Sequence, residues 1–501
     1  MEATRRYETV ALIADSFSSS VRPVLRGQLG AVSAAHPLAV AAGQEMLVAG
    51  GTAADAAIAA QAVLCVVMPN ACGLGGDMLA LVHVPGRAAL ALNGTGAAPL
   101  AFERVADDGP HSITVPGIVD AWCELSKREG RLSLARALEP AIRLARNGVH
   151  ISRTLADALK THRARLERGG ARAWSLFDQV AHNSCKQLQL ADLLERVGRE
   201  GRTSFYEGID AQAIVRAVRC LDGPLSETDL AQHATLVTKP IATQWSGLSI
   251  AVQPPMAQGV LLTMAVNALA KLGVFPSDLN DHVAVELTEA AFAFRSQVAR
   301  GEALLEAPLT VDFTRAAHRG GPRAYLHTAG VAAADADGRV ISSLVSVFDD
   351  FGSGVYVPEL GITLNNRAGG FTDGDNAPAP GKRPVHTLAP VLVSDSRGVV
   401  GLATPGADGQ VQTLLQVLMG LQRDGIDLAR AIARPRWRSE NGRLLIERSH
   451  AAIEKLRALG HDVVALADGE VRFGAVVCAG FRGDEPIAGA DWRRETWAGV
   501  A

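Results

Sequence analysis

The sequence is poor in aromatic residues, in cysteine pairs and in any surplus of charge. Phe, Trp and Tyr make up 5% of 501 residues, too few for a surface that stacks bases. Lys plus Arg number 49 against 52 for Asp plus Glu, a formal net charge of -3. Nucleic-acid phosphates demand a basic excess, so nucleic acid is excluded as a partner. The six cysteines, Cys65, Cys72, Cys123, Cys185, Cys220 and Cys478, form no CxxC pair and no His/Cys ligand spacing. Neither a metal site nor a disulfide framework is therefore expected. No window supplies the run of about 20 apolar residues that a membrane span needs. The charged start from Met1 to Glu8 and the short run from Thr9 to Ala14 do not make a secretory segment. These absences lead to the expectation of a cytoplasmic protein without a membrane partner.

What is present is apolar mass. Hydrophobic residues reach 48%, enough for a substantial core. The length allows two to four domain-sized units or one large interwound body. The spacing predicts two helices between His36 and Val67, broken at Gly50-Gly51, and the longest apolar stretch, Ala56 to Met68, reads as a buried helix. A glycine loop, Gly73-Leu74-Gly75-Gly76-Asp77, leads into a hairpin of Met78 to Val84 and Ala88 to Leu92. Pro116-Gly117 opens a further helix and Leu134 to Arg146 forms another, while Ile151 to Gln297 reads as mainly helical. Leu304 to Tyr325 is an irregular, exposed connection. Strands follow at Ala329 to Ala334 and Arg339 to Phe348, turned by Asp335-Ala336-Asp337-Gly338, then at Pro390 to Ser394 and Val399 to Ala403. Gln410 to Gln422 reads as an amphipathic helix. Strand pairs joined by hairpins fit an α+β helix/sheet/sheet/helix sandwich better than a doubly wound sheet.

Three features could carry chemistry. The glycine loop precedes a strand rather than a helix, so it is not a dinucleotide fingerprint. A tight structural turn is its plainer reading, with Asp77 as a turn or capping residue. Pro405-Gly406-Ala407-Asp408-Gly409 lies between a strand and a helix. Its backbone N–H groups either face an anion or oxyanion, or simply turn the chain. Thr328 stands alone at a strand start, a position that is usually structural. Lys382-Arg383 reads as a loop anchor and Arg163 to Arg172 as a solvated helix face.

The ordered set of these and further segments resembles the γ-glutamyltranspeptidase family of N-terminal-nucleophile hydrolases. It runs through His36-Pro37-Leu38-Ala39, Gly50-Gly51-Thr52-Ala53-Ala54-Asp55, Gly73-Leu74-Gly75-Gly76, Thr114-Val115-Pro116-Gly117 and Leu138-Glu139-Pro140-Ala141-Ile142. It continues with Asp335-Ala336-Asp337-Gly338, Phe351-Gly352-Ser353-Gly354, Leu364-Asn365-Asn366, Pro380-Gly381-Lys382-Arg383-Pro384 and Ala433-Arg434-Pro435-Arg436. The resemblance implies a four-layer αββα sandwich and scission between His327 and Thr328, giving interwound fragments 1–327 and 328–501. It makes Thr328 the nucleophile, its freed α-amine the base, Gly406 and Ala407 the oxyanion donors, and Ser346 a hydroxyl beside that amine. Substrate contacts fall at Thr95, Arg367, His386, Thr387 and Asp408. No cofactor is implied. The partners are a small amide substrate and the two fragments themselves, with a homodimer as a further state.

Departures from the family pattern bear on substrate. Thr95 replaces the arginine that holds an α-carboxylate, and a neutral hydroxyl cannot form that bidentate ion pair. Arg367 and Gly370 stand where acceptors for an α-ammonium are expected, and His386-Thr387 replaces a Ser-Ser pair. This set resembles the amidohydrolase branch that includes oxamate amidohydrolase. There Arg367 would bind a substrate carboxylate, and His386 would orient or protonate a leaving group. A salt-bridged surface arginine and a packed core histidine are the plainer readings of the two. Ala329-Gly330-Val331 and His327 also depart from the residues common around the nucleophile. The expected function is hydrolysis, or acyl transfer, of a small carboxylate-bearing amide. The alternatives are a true γ-glutamyltranspeptidase, a biosynthetic acyl transferase and an uncleaved binding protein.

Overall fold

The computed structural model describes residues 21–180, 184–320, 322 and 328–501. Two seven-stranded antiparallel sheets face each other. The first runs Trp497–Val500, Gly30–Ala34, Ala329–Asp335, Val340–Ser346, Asp77–His83, Leu90–Gly94, Leu236–Thr238. The second runs Leu25–Arg26, Glu485–Ala490, Val477–Arg482, Gly398–Ala403, Val391–Asp395, Leu248–Val252, Ile241–Trp245. Each sheet takes strands from both sides of the 327/328 boundary, so the two parts of the chain are not separate domains.

The period-2 alternation of strands sorts their side chains between layers. Val331 and Ala333 join the first helical layer, whereas Ala332 and Ala334 face the second sheet. The space between the sheets is filled largely by alanine, with Ala31, Ala91, Ala332, Ala403, Ala479 and Ala488 all buried there. Small side chains let the sheets approach closely, and Ser342 Oγ donates across the gap to the Leu402 carbonyl at 2.7 Å. Helices Pro37–Val48, Ala53–Val67 and Ile118–Glu129 cover the first sheet; Gly259–Leu272, Asn280–Phe292 and Gly409–Gln422 cover the second. The result is the αββα sandwich. Helix Ala53–Val67 is buried on every side and begins with a Thr52/Asp55 capping box. Its one interior amide, Gln61, is satisfied by Ser343 Oγ and by Trp122 Nε1, each at 2.7 Å.

The stretch up to Gln297 is mainly helical as expected, but it also contains strands Leu236–Thr238, Ile241–Trp245 and Leu248–Val252, which the sequence reading did not separate out. The last two close on Ser246-Gly247, both at positive φ, a tight hairpin turn. These strands lie at or next to the sheet edges and are of mixed burial, so period-2 alternation was weak there. Helix Gly409–Gln422 is also not amphipathic in effect, because residues 409–420 are all buried. Its glutamines pair with backbone instead of water: Gln412 and Gln416 exchange hydrogen bonds with the main chain of Ser439 and Trp437.

Candidate functional site

Four neighbouring strand ends meet at one rim of the first sheet. Ala329 pairs with Val345, which brings Thr328 beside Ser346. Ser346 pairs with Asp77, and Met78 with Gly94, which brings Thr95 beside Asp77. Thr328, Ser346, Asp77 and Thr95 thus follow one another across the rim, and all are buried. The glycine loop is built for this convergence. A Cβ on Gly76 would stand 2.4 Å from the Ser346 carbonyl oxygen, and one on Gly75 would stand 2.1 Å from that of Thr363. This close backbone approach matches the tight structural turn expected of the loop.

Asn365 ties the surrounding loops together. Its Oδ1 accepts from Thr114 N, Thr114 Oγ1 and Arg367 N, and its Nδ2 donates to the carbonyls of Gly75 and Thr114. Segments far apart in sequence are thereby fixed around one buried arginine.

Arg367 has no exposed surface, and neither has Asp77. Arg367 Nε donates to Asp77 Oδ2 at 3.1 Å, and His386 Nε2 meets the same oxygen at 3.2 Å. Arg367 is therefore buried rather than on the surface, and Asp77 is the centre of an ion cluster rather than a turn or capping residue. Burial pushes the Asp77 carboxyl up, but the His386 hydrogen bond and the Arg367 charge outweigh it and hold it below its ordinary value. The guanidinium lies over the Phe348 ring at 4.4 Å. Phe348 holds φ +86°, unusual for a bulky residue, while its N–H donates to Ser346 Oγ at 2.9 Å. Among the described residues, Arg367 Nη1 and Nη2 and Asp77 Oδ1 are buried without a hydrogen-bond partner. A buried guanidinium edge with nothing to hold is costly in isolation, and its geometry matches a carboxylate.

His386 Nδ1 accepts the Leu388 N–H at 3.2 Å, which leaves Nε2–H to donate to Asp77. Burial, aided by the Arg367 charge, lowers its pKa to about 4, so it is neutral near pH 7. With both ring nitrogens engaged, the geometry matches orientation of the Asp77–Arg367 pair rather than proton donation. Burial likewise lowers His233 and His461 to about 4. In the unfolded chain such groups protonate near pH 6.5, so between that pH and 4 the unfolded state binds more protons. Folding stability should therefore fall on acidification through this window, each histidine adding up to about 1.4 kcal/mol per pH unit. Denaturant titrations at pH 7.5, 6 and 5 check this, and replacing His233 with glutamine should flatten the slope.

The second sheet contributes the remaining residues. Gly406 and Ala407 follow strand Gly398–Ala403 with φ of +125° and +48°, and a left-handed alanine is strained. Among the described residues the N–H groups of Gly406 and Ala407 donate no hydrogen bond. Their loop is braced by Gln258, whose Nε2 donates to the carbonyls of Ala407 and Thr387 at 2.9 and 2.7 Å, and by Arg438 Nη1, which donates to the Gly406 carbonyl. Thr387 therefore joins this cluster through its backbone. Asp408 is buried and ion-paired with Arg295 at 3.3 Å, where both line a cavity of about 520 Å³ with Phe292, Ser296, Thr372 and Asp373. Thr95 Oγ1 donates to Asn93 Oδ1 at 2.7 Å, which fixes the hydroxyl beside Asp77. His327 lies outside the described residues. Sequence reasoning missed Phe348 and Gln258, and read Asp77 too plainly. For Asp77 the signal was an acid opening an apolar strand; for Gln258 there was none.

The family described as Gamma-glutamyltranspeptidase matches residues 39–319 and 313–501. A glutathione hydrolase-like YwrD proenzyme of Bacillus subtilis is 31% identical, with 86% of this chain and 91% of that protein covered. An oxamate amidohydrolase proenzyme of Klebsiella pneumoniae is also 31% identical, with 88% and 92% covered. In structure, a cephalosporin acylase from Bacillus halodurans superposes with a TM-score of 0.86 at 28% identity, covering 98% of this chain and 99% of that one. The chain belongs to the γ-glutamyltranspeptidase family, and it is an N-terminal-nucleophile enzyme acting on amide bonds.

Proposed function

We propose that the chain cuts itself between His327 and Thr328 and then hydrolyses a short amide whose acyl part ends in a carboxylate. The observation that carries this reading is the buried Nη edge of Arg367, unpartnered among the described residues, on a guanidinium bonded to Asp77, the strand neighbour of Ser346. In the reaction Thr328 Oγ attacks the amide carbonyl while its own α-amine takes the hydroxyl proton. The oxyanion is met by the N–H groups of Gly406 and Ala407. The C–N bond breaks and the amine leaves with the proton. Water then opens the acyl-Thr328 ester, releases the acid and restores the hydroxyl. Arg367 holds the carboxylate through Nη1 and Nη2, with Asp77 and His386 fixing its other edge and Phe348 its face.

The Klebsiella relative is named for oxamate, the smallest amide of this class. Thr95 in place of an arginine, and Arg367 where an ammonium would sit, argue against a γ-glutamyl head. The six cysteines are all free thiols, in keeping with a cytoplasmic setting; among the described residues no helix is long and apolar enough to cross a membrane.

Ammonia release from oxamate and from succinamate, set beside anilide release from a γ-glutamyl reporter, tests the assignment. One of the carboxylate amides should exceed the reporter in kcat/KM by at least about 100-fold, the order expected from a charge-assisted pair worth about 3 kcal/mol. A faster reporter would transfer the assignment to γ-glutamyl amides. Added amine acceptors should leave the rate unchanged.

A further inference from the structure

Away from the nucleophile, His282 and Glu286 stand one turn apart on helix Asn280–Phe292, and His461 approaches them from the other side of the 327/328 boundary. All three are buried, with one ligand atom of each within 4.8 Å of the others. From this arrangement we infer a binding site for a divalent transition-metal ion such as Zn²⁺, held by His282 Nδ1, His461 Nε2 and a Glu286 carboxylate oxygen.

The outer contacts are those a ligand set requires. His282 Nε2 donates to the Asp312 carbonyl at 2.6 Å, which leaves Nδ1 with its lone pair facing His461 Nε2 at 2.8 Å. Glu286 Oε2 is held by Arg319 Nη1 at 2.7 Å and Oε1 by the Ala317 N–H at 3.0 Å. The carboxylate is thereby oriented while each oxygen keeps a lone pair to give. Burial, with the neighbouring His282, keeps His461 neutral and able to ligate. Two nitrogens on one zinc lie about 3.3 Å apart. The rings therefore separate by a few tenths of an ångström on binding, and the proton shared between them moves to His461 Nδ1. Two imidazoles and a carboxylate suit zinc and related ions.

The position suggests a structural use. His282 and Glu286 precede the boundary and His461 follows it, while Asp312, Ala317 and Arg319 belong to the connection that runs toward Thr328. An ion here would clip the end of the first fragment to the second after scission. It would stabilise by binding the folded form alone.

The test uses the full chain freed of metal by a chelator. Isothermal titration with Zn²⁺ alone should give one equivalent per chain and raise the unfolding temperature. Glu286→Gln, and separately His461→Gln, should each weaken binding by at least about tenfold. Absence of a stoichiometric equivalent, or binding undiminished in both variants, overturns the site. Should the variants fail to fold, Co²⁺ added to the parent protein decides: visible d–d absorption that Zn²⁺ abolishes supports the site, and none refutes it. These readouts do not involve activity, so failure here is distinct from failure of the carboxylate-amide assignment.

Discussion

A Thr328→Ala chain should remain whole, while the parent protein resolves into fragments of about 34 and 18 kDa, the 327:174 division of 52.5 kDa. The denatured intact mass of freshly purified protein checks this, and the small fragment should begin at Thr328. The effect is all-or-none for a physical reason. An alanine has no hydroxyl to attack the preceding carbonyl, and without scission no α-amine exists at position 328 to serve as base. Thr328 precedes strand Ala329–Asp335, whose pairing with Gly30–Ala34 and Val340–Ser346 is backbone pairing and survives the change. Thr328→Ser should cut, though more slowly, because the hydroxyl remains while the methyl that fixes its rotamer is gone. If the parent protein also stays whole after long incubation, threonine catalysis fails and the binding-protein alternative leads.

Much of this was legible in the residues. The turn at Asp335-Ala336-Asp337-Gly338 announced the central hairpin, and both of its strands alternate between two cores as a strand between layers must. The helix from Ala53 was readable as buried because it has no polar face. The centre of the site was not readable. Asp77 meets Arg367 and His386 across 290 and 309 residues, and local pattern holds no trace of so distant a pairing. Nor does composition reveal that Gln412 and Gln416 act as backbone partners inside a core: alternation of polar and apolar residues looks the same whether the polar ones meet water or a neighbouring strand. Glycine motifs were visible, but their purpose emerged only once the carbonyl of Ser346 was seen where a Gly76 Cβ would be.

Arg367→Met should lower kcat/KM for a carboxylate amide by roughly 10²–10⁴, the loss of two charge-assisted hydrogen bonds at about 1.5–3 kcal/mol each. Methionine matches the stem of the arginine and can still pack on Phe348, so the change removes the fork more than the volume. It also leaves Asp77 with His386 as its remaining partner among the described residues, and an uncompensated buried carboxylate destabilises the fold. Activity loss must therefore be separated from unfolding. The separation comes from substrate comparison: on an amide without the carboxylate, parent and variant should differ little, because that substrate never used the fork. Arg367→Lys should recover only part of the activity, since an ammonium keeps the charge but not the planar pair of donors that meets both carboxylate oxygens. If the variant instead loses both substrates in equal measure, Arg367 supports the fold around Asp77 and does not read the substrate. Full activity of the Met variant on the carboxylate amide would place the recognition elsewhere, with Arg295 at the cavity beside Asp408 the next cation to replace.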